Sequence, residues 1–306
     1  MSAPMQPAAA ANLVSQALNA VFGPDRFPVP VEEVAKEYST ARFPDSPVTT
    51  VHGEDMDSID GVLAGNAAKS KWIIVYNSAI ASEGRKRFTI AHEFGHYMLH
   101  RHQRDQFQCS KDDIEVGSGN GHEPSIEDEA DRFASTLLMP YDDLRRQVAG
   151  QAVSFDLLSH CANRYGVSLT AAALRWTDIA EGRAVLVASC DDHMLWAKAN
   201  EAAFKSGAFF ATRKNTIPLP GDALAHSANC TGGSQQQSTR AKVWFPREPG
   251  YVELKEMTMV AGSYGYTLTL LTMPDAEWRR PQHEDGDPEE DTFDRFINNG
   301  QPLDPR

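Results

Sequence analysis

The sequence predicts an α+β protein: a helix-rich part over residues 1–182, a mainly antiparallel β part over 183–280 and an acidic tail over 281–306. Three observations point that way. Apolar residues recur at helical spacing through most of the first part, short alternating or β-branched runs with aromatics dominate after Gly182, and aliphatic residues thin out beyond Pro281. At 41% hydrophobic and 23% charged, with a mean hydropathy of -0.43, the composition is that of a folded globular protein, and a length of 306 residues suits two domains.

Asn12 to Val21 has helical apolar spacing, and PVPVEEVAKEY reads as a turn followed by a helix from Val31. DGVLAG and KWIIVYN, between Asp60 and Asn77, read as two strands. RFTIAHEFGHYMLH, Arg87 to His100, contains no proline and reads as a buried helix. After the glycine-rich linker VGSGNGHEP, the stretch SIEDEADRFASTLLMP opens with Ser125 and Asp128 in capping-box spacing, and Pro140 marks its end. FDLLSHCANRYGVSLTAAALRWTDI has a helix-turn-helix outline broken at Gly166, with Ser168 as cap. Its second helix carries Arg175 as its basic residue, so it reads as a pair packed on the rest of the domain. AVLVASC, AFFATRK, AKVWFP, YVELKEMTMV and YTLTLLTM then read as strands separated by turn-rich stretches such as TGGSQQQST.

Charge narrows the partners. The 29 Lys and Arg against 42 Asp and Glu leave a net charge of -13, and the last 26 residues hold eight acids against two arginines. Such a chain repels a phosphate backbone, so direct nucleic-acid binding is not expected and a basic protein partner suits it better. No apolar run reaches a membrane span and no basic region precedes the N-terminal apolar stretch, so neither membrane insertion nor secretion is expected. Cys109, Cys161, Cys190 and Cys230 form no CxxC pair and read as reduced, mostly buried thiols, which fits a cytoplasmic location.

The chemistry lies in HExxH. On a helix, His92 and His96 share a face and can both reach one metal ion, while Glu93 projects beside it as the general base for attack by metal-bound water on a peptide carbonyl. A catalytic zinc ion needs a third protein ligand and an open position. Glu127 and Asp131 are four residues apart in EDEAD and point the same way; we assign Glu127 as third ligand and Asp131 as acceptor for the other ring N–H of a ligand histidine. Glu123 and Glu129 compete for the third position. Gly95, Ala130 and Ala134 give the two helices smooth surfaces for close approach. His100 and His102 read as packing or surface residues, and His122, His160 and Tyr165 are candidates for stabilising an oxyanion. The KWIIVYN strand is a candidate exposed edge for an extended substrate.

RKRFTIAHEFGHYMLH, EDEADRFASTLLMP and the RYGVS turn, in that order and spacing, resemble the ImmA/IrrE family of metallo-endopeptidases over residues 10–180. The resemblance implies a zincin-like catalytic domain, a small sheet plus helices, with zinc (Zn2+) held by His92, His96 and Glu127 and with Glu93 as base. It also implies selective cytoplasmic cleavage of a helix-turn-helix, DNA-binding repressor, and so a role in transcriptional regulation of a mobile element or a stress response. The family often has Asn where this chain has Asp131, which keeps the acceptor and adds charge. The segment 183–280 lies outside the resemblance and stands as a β-rich part of unknown role, a sensor or a substrate-recognition part. The rival reading is a non-catalytic zinc-binding module that recognises or senses a partner; Glu93 argues against it, because a structural site has no need of a base.

Overall fold

A computed structural model describes residues 5–110, 125–212, 215–226, 233–261 and 265–276 of the chain. The tail expected over 281–306, and Glu123, His122 and Cys230, lie outside the described residues. The elements in chain order are α1 (Pro7–Phe22), α2 (Val31–Arg42), β1 (Val48–Glu54), β2 (Ile59–Gly65), β3 (Trp72–Asn77), α3 (Glu83–His100), β4 (Gln106–Ser110), α4 (Ile126–Leu138), α5 (Tyr141–Val148), α6 (Phe155–Tyr165) and α7 (Leu169–Thr177). They continue with β5 (Arg183–Cys190), β6 (His193–Ala199), α8 (Glu201–Lys205), β7 (Ile217–Pro218), β8 (Gln235–Arg240), β9 (Glu253–Val260) and β10 (Thr267–Met273). The architecture is α+β, and residues as far as Pro274 form one compact unit.

The first sheet has the order β1-β3-β2-β4; β1 runs parallel to β3, and β2 runs antiparallel to both β3 and β4. The expectation of an exposed edge at KWIIVYN is corrected here. β3 is interior, because the polar segment VTTVHGE, not expected to be a strand, pairs along its other side. Among the described residues the sheet's edge strands are β1 and β4, and in β4 Phe107 and Cys109 point inward and Gln106 and Gln108 outward. α3 starts earlier than expected because Ser82 accepts a hydrogen bond from the Arg85 backbone N–H, and it packs its Ile90–Phe94–Tyr97 face into the core shared with Trp72 and Ile74. α4 opens with the expected capping box: Ser125 Oγ accepts from the Asp128 N–H while Asp128 accepts from the Ser125 N–H. Pro140 ends that stretch and also stands at the N-terminus of α5, a helix the sequence reading did not separate.

The second sheet, order β7-β6-β5-β10-β9-β8, is antiparallel at every pairing. Its two central strands are buried on both faces, and their alternation sorts them into two cores. Val185, Val187, Leu271 and Met273 pack with Ala203, Trp244 and Phe245, whereas Ala184, Leu186, Leu268 and Leu270 pack with Phe155 and Leu158 of α6 and Ala173 and Trp176 of α7. Arg175 is buried, donating to the Met139 carbonyl and to Thr136 Oγ1 with its guanidinium 3.5 Å from the Tyr141 ring centroid, so α7 presents no basic reading face. Two expected strands differ. AKVWFP forms a 3-10 turn over Ala241–Val243, since Ala241, Trp244 and Phe245 are buried at helical rather than alternate spacing, and AFFATRK contains no strand among its described residues. The polar QQQSTR, read as a turn, is the edge strand β8, alternately half-buried and exposed.

Candidate metal centre

The α3–α4 contact is close because Gly95 lacks a side chain: a Cβ there would stand 3.1 Å from the Ala130 carbonyl and 3.1 Å from Phe133 Cδ1. This approach brings three of the expected residues together at their functional atoms. His92 Nε2 lies 3.0 Å from His96 Nε2, and Glu127 Oε2 lies 3.1 Å from the first and 3.2 Å from the second. Both imidazoles are fully buried, while Glu127 is partly exposed and lines a cavity of about 340 Å3 together with Arg104, Gln106, Phe107 and Gln108. The approach to the cluster therefore runs along β4.

Asp131 Oδ1 lies 2.7 Å from His92 Nδ1, so the carboxylate accepts that ring N–H and leaves the Nε2 lone pair facing the cluster. His96 has a different support, which the sequence reading missed. Its Nδ1 lies 3.1 Å from His100 Nδ1, and His100 Nε2 lies 2.7 Å from Glu129 Oε2. A carboxylate accepts only, so His100 carries its proton on Nε2, accepts at Nδ1 from His96, and thereby turns the His96 Nε2 lone pair inward. Glu129 is thus engaged at His100, not at the cluster, and His100 is buried rather than a packing or surface residue in the plain sense.

Glu93 is fully buried beside the cluster; the Cys109 thiol and the Leu63 N–H lie alongside its carboxylate, although neither oxygen has a well-aligned donor. Burial pushes its carboxyl up to about 7, against the pull of His92. Gly61 of β2 makes room for it, since a Cβ there would stand 2.6 Å from Glu93 Oε1. Burial pulls both histidines down; it takes His96 to about 4, but hydrogen bonds to Asp131 and Glu127 and the Glu93 charge override it at His92 and lift that imidazole to about 10. Burial would raise Glu127, but the two histidines hold it below the carboxylate range, whereas burial prevails at Asp131 and raises it. Three carboxylates thus converge on two buried imidazoles, an arrangement that calls for compensating positive charge. A divalent cation fits this donor set.

Cys109 is the fourth group of this cluster, 3.0 Å from His92 Nε2 by its Sγ, and the sequence reading passed over it as an ordinary buried thiol. The oxyanion candidates do not gather here. Tyr165 is buried with its hydroxyl donating to Asp143 Oδ2 at 2.8 Å, and His160 is exposed with Gln147 as its neighbour.

Among the described residues no helix is long and apolar enough to cross a membrane. A comparison with curated proteins finds no match. Residues 47–177 match the sequence model of the Peptidase_M78 family, described as the IrrE N-terminal-like domain, and this span contains every residue of the cluster. With its HExxH helix, its second carboxylate-bearing helix and a donor set suited to a divalent cation, the segment 47–177 is an IrrE N-terminal-like domain of the Peptidase_M78 type, which supports the resemblance to the ImmA/IrrE metallopeptidases.

Proposed function

We propose that the chain is a zinc-dependent endopeptidase that cuts a specific intracellular protein. The observation that carries this reading is the meeting of His92, His96 and Glu127 at 3.0–3.2 Å beside a fully buried carboxylate, Glu93, neither oxygen of which has a well-aligned hydrogen-bond donor. His92, His96 and Glu127 hold the zinc in a zincin-like arrangement, with Asp131 orienting His92. Zinc, when bound, supplies Lewis acidity to the scissile carbonyl and to the attacking water. Glu93 takes the proton of that water on its carboxylate and delivers it to the departing amide nitrogen; a carboxyl whose buried site raises its affinity for protons can do both near neutral pH. His100 and Glu129 fix the His96 tautomer, so neither ligand competes for the transferred proton.

The substrate we infer is a helix-turn-helix repressor, which would make the protein a cytoplasmic regulator of transcription under stress. Family resemblance and a net charge of -13, suited to a basic partner, support this. The part over 183–280 is assigned to substrate recognition or sensing. Newly formed protein N-termini, compared by mass spectrometry in host cells making the wild type or Glu93→Gln, test the reading. A few new ends present only with the wild type, in a DNA-binding protein, are expected; equal cleavage by both would refute the mechanism. One observation favours a second reading, a non-catalytic metal module: Cys109 gives the cluster a fourth protein donor, as structural zinc sites have.

A further inference from the structure

The four donor atoms make six pairs. His92 Nε2, His96 Nε2 and Glu127 Oε2 are separated by 3.0, 3.1 and 3.2 Å, and Cys109 Sγ lies 3.0 Å from His92, 3.5 Å from His96 and 3.5 Å from Glu127. A tetrahedral zinc ion with ordinary bond lengths would separate its nitrogen and oxygen ligands by about 3.3 Å and its sulfur from them by about 3.6 Å. The observed set is that tetrahedron, slightly contracted. All four corners are protein atoms, and three of them, His92, His96 and Cys109, are fully buried.

The thiol also stands opposite Gly61 in the β2–β4 register, and Gly61 is the residue against which Glu93 rests. A group that touches the histidines, Glu127 and the Glu93 carboxylate occupies the place that the attacking water needs. Closing the site in this way uses an edge strand. Among the described residues β4 pairs with β2 alone, so withdrawal of its Cys109 end breaks one ladder.

We propose that Cys109 is the fourth zinc ligand and that β4 thereby holds the centre in a closed resting form, which opens when the Cys109 end of the strand leaves β2. Metal binding releases the thiol proton to solvent, and opening replaces the sulfur by water with no redox change. The proposal rests on the peptidase reading for its purpose, since a latent form spares a host from stray cleavage, and it reconciles the four-donor set with an intact base.

Cobalt substitution of the full chain tests it without a substrate. The wild type should show the near-ultraviolet thiolate-to-cobalt band, and Cys109→Ser should lose the band while keeping one metal per chain by mass spectrometry. Acetohydroxamate, which needs an open coordination position, should bind Cys109→Ser about tenfold more tightly, the factor expected if the open form is about a tenth of the wild-type population. Absence of the band from the wild type, or equal acetohydroxamate affinity in the two proteins, overturns the proposal. If Cys109→Ser does not fold, X-ray absorption of the zinc-loaded wild type decides: a sulfur at about 2.3 Å supports the ligand and a shell of nitrogen and oxygen alone refutes it. These readouts are independent of cleavage, so loss of the peptidase reading in the N-terminus experiment would leave the metal result standing and show a closed structural site.

Discussion

Among the described residues two glutamates are fully buried, Glu93 by the first sheet and Glu256 in the second, and their surroundings are opposite. Glu256, on β9, accepts hydrogen bonds from the Leu224 N–H at 2.8 Å, Gln237 Nε2 at 2.8 Å and Trp244 Nε1 at 3.3 Å, so its carboxylate knits the second sheet to the segments that cover it. Glu93 has no comparable set: the Cys109 thiol and the Leu63 N–H lie near it, and neither of its oxygens has a well-aligned donor. Removing a carboxylate from water is costly, and the fold recovers the cost at Glu256 through those donors. It leaves more of that cost standing at Glu93, in keeping with the proton transfer proposed for it. Asp143 belongs with Glu256: Arg164, Arg146 and the Tyr165 hydroxyl all donate to it.

The contrast is sharpest in the two isosteric or truncating changes. Glu93→Gln should cut turnover of the protein substrate by about a thousandfold while metal content and melting temperature are unchanged or the latter rises; a lowered melting temperature would place Glu93 among the structural carboxylates. Glu256→Ala should do the reverse, costing about 3 kcal/mol in denaturant unfolding because three donors lose their acceptor, with metal content intact. Between these lies His100→Ala. It should weaken zinc binding about 10- to 100-fold in a chelator competition, since His96 loses the acceptor that fixes its tautomer; an unchanged affinity would reduce His100 to packing.

The smallest expected effect is a pH dependence. Burial would raise Asp143, but its hydrogen bonds to Arg164, Tyr165 and Arg146 prevail and hold it below the usual aspartate value. A carboxylate depressed on folding contributes stability that is complete above the unfolded value, about 4, and is lost as pH falls through the lower folded value. The stability gap between wild type and Asp143→Asn, about 1–2 kcal/mol at neutral pH, should therefore shrink below about pH 4. A gap that stayed constant down to pH 3 would remove Asp143 from the comparison.

The parts of the fold carried by local pattern were legible in the sequence, as the Ser125 cap, the α3 periodicity and the turn at Gly166 illustrate. β1 and β4 were not, because a strand at a sheet margin is recognised by what it pairs with, and VTTVHGE and QFQCS show little apolar content. A weak signal was present at β4 in the Gln-Phe-Gln-Cys alternation, and following it would have aimed Cys109 at the same side as Phe107. His100 continues the four-residue stripe of His92 and His96; crowding was a sound objection to a third ligand on one helix, but the side chain sits behind His96 rather than on the metal side. Glu127 and Asp131, read from their spacing together with the upstream HExxH, both lie within hydrogen-bond distance of His92.

The apolar layer shared by α6, α7 and the second sheet has a practical consequence. The matched family segment stops at residue 177, yet Phe155, Leu158, Ala173 and Trp176 find their partners on β5 and β10. A fragment trimmed to the matched segment would carry that row bare into water and would self-associate through it. The smallest piece worth purifying therefore runs through Pro274.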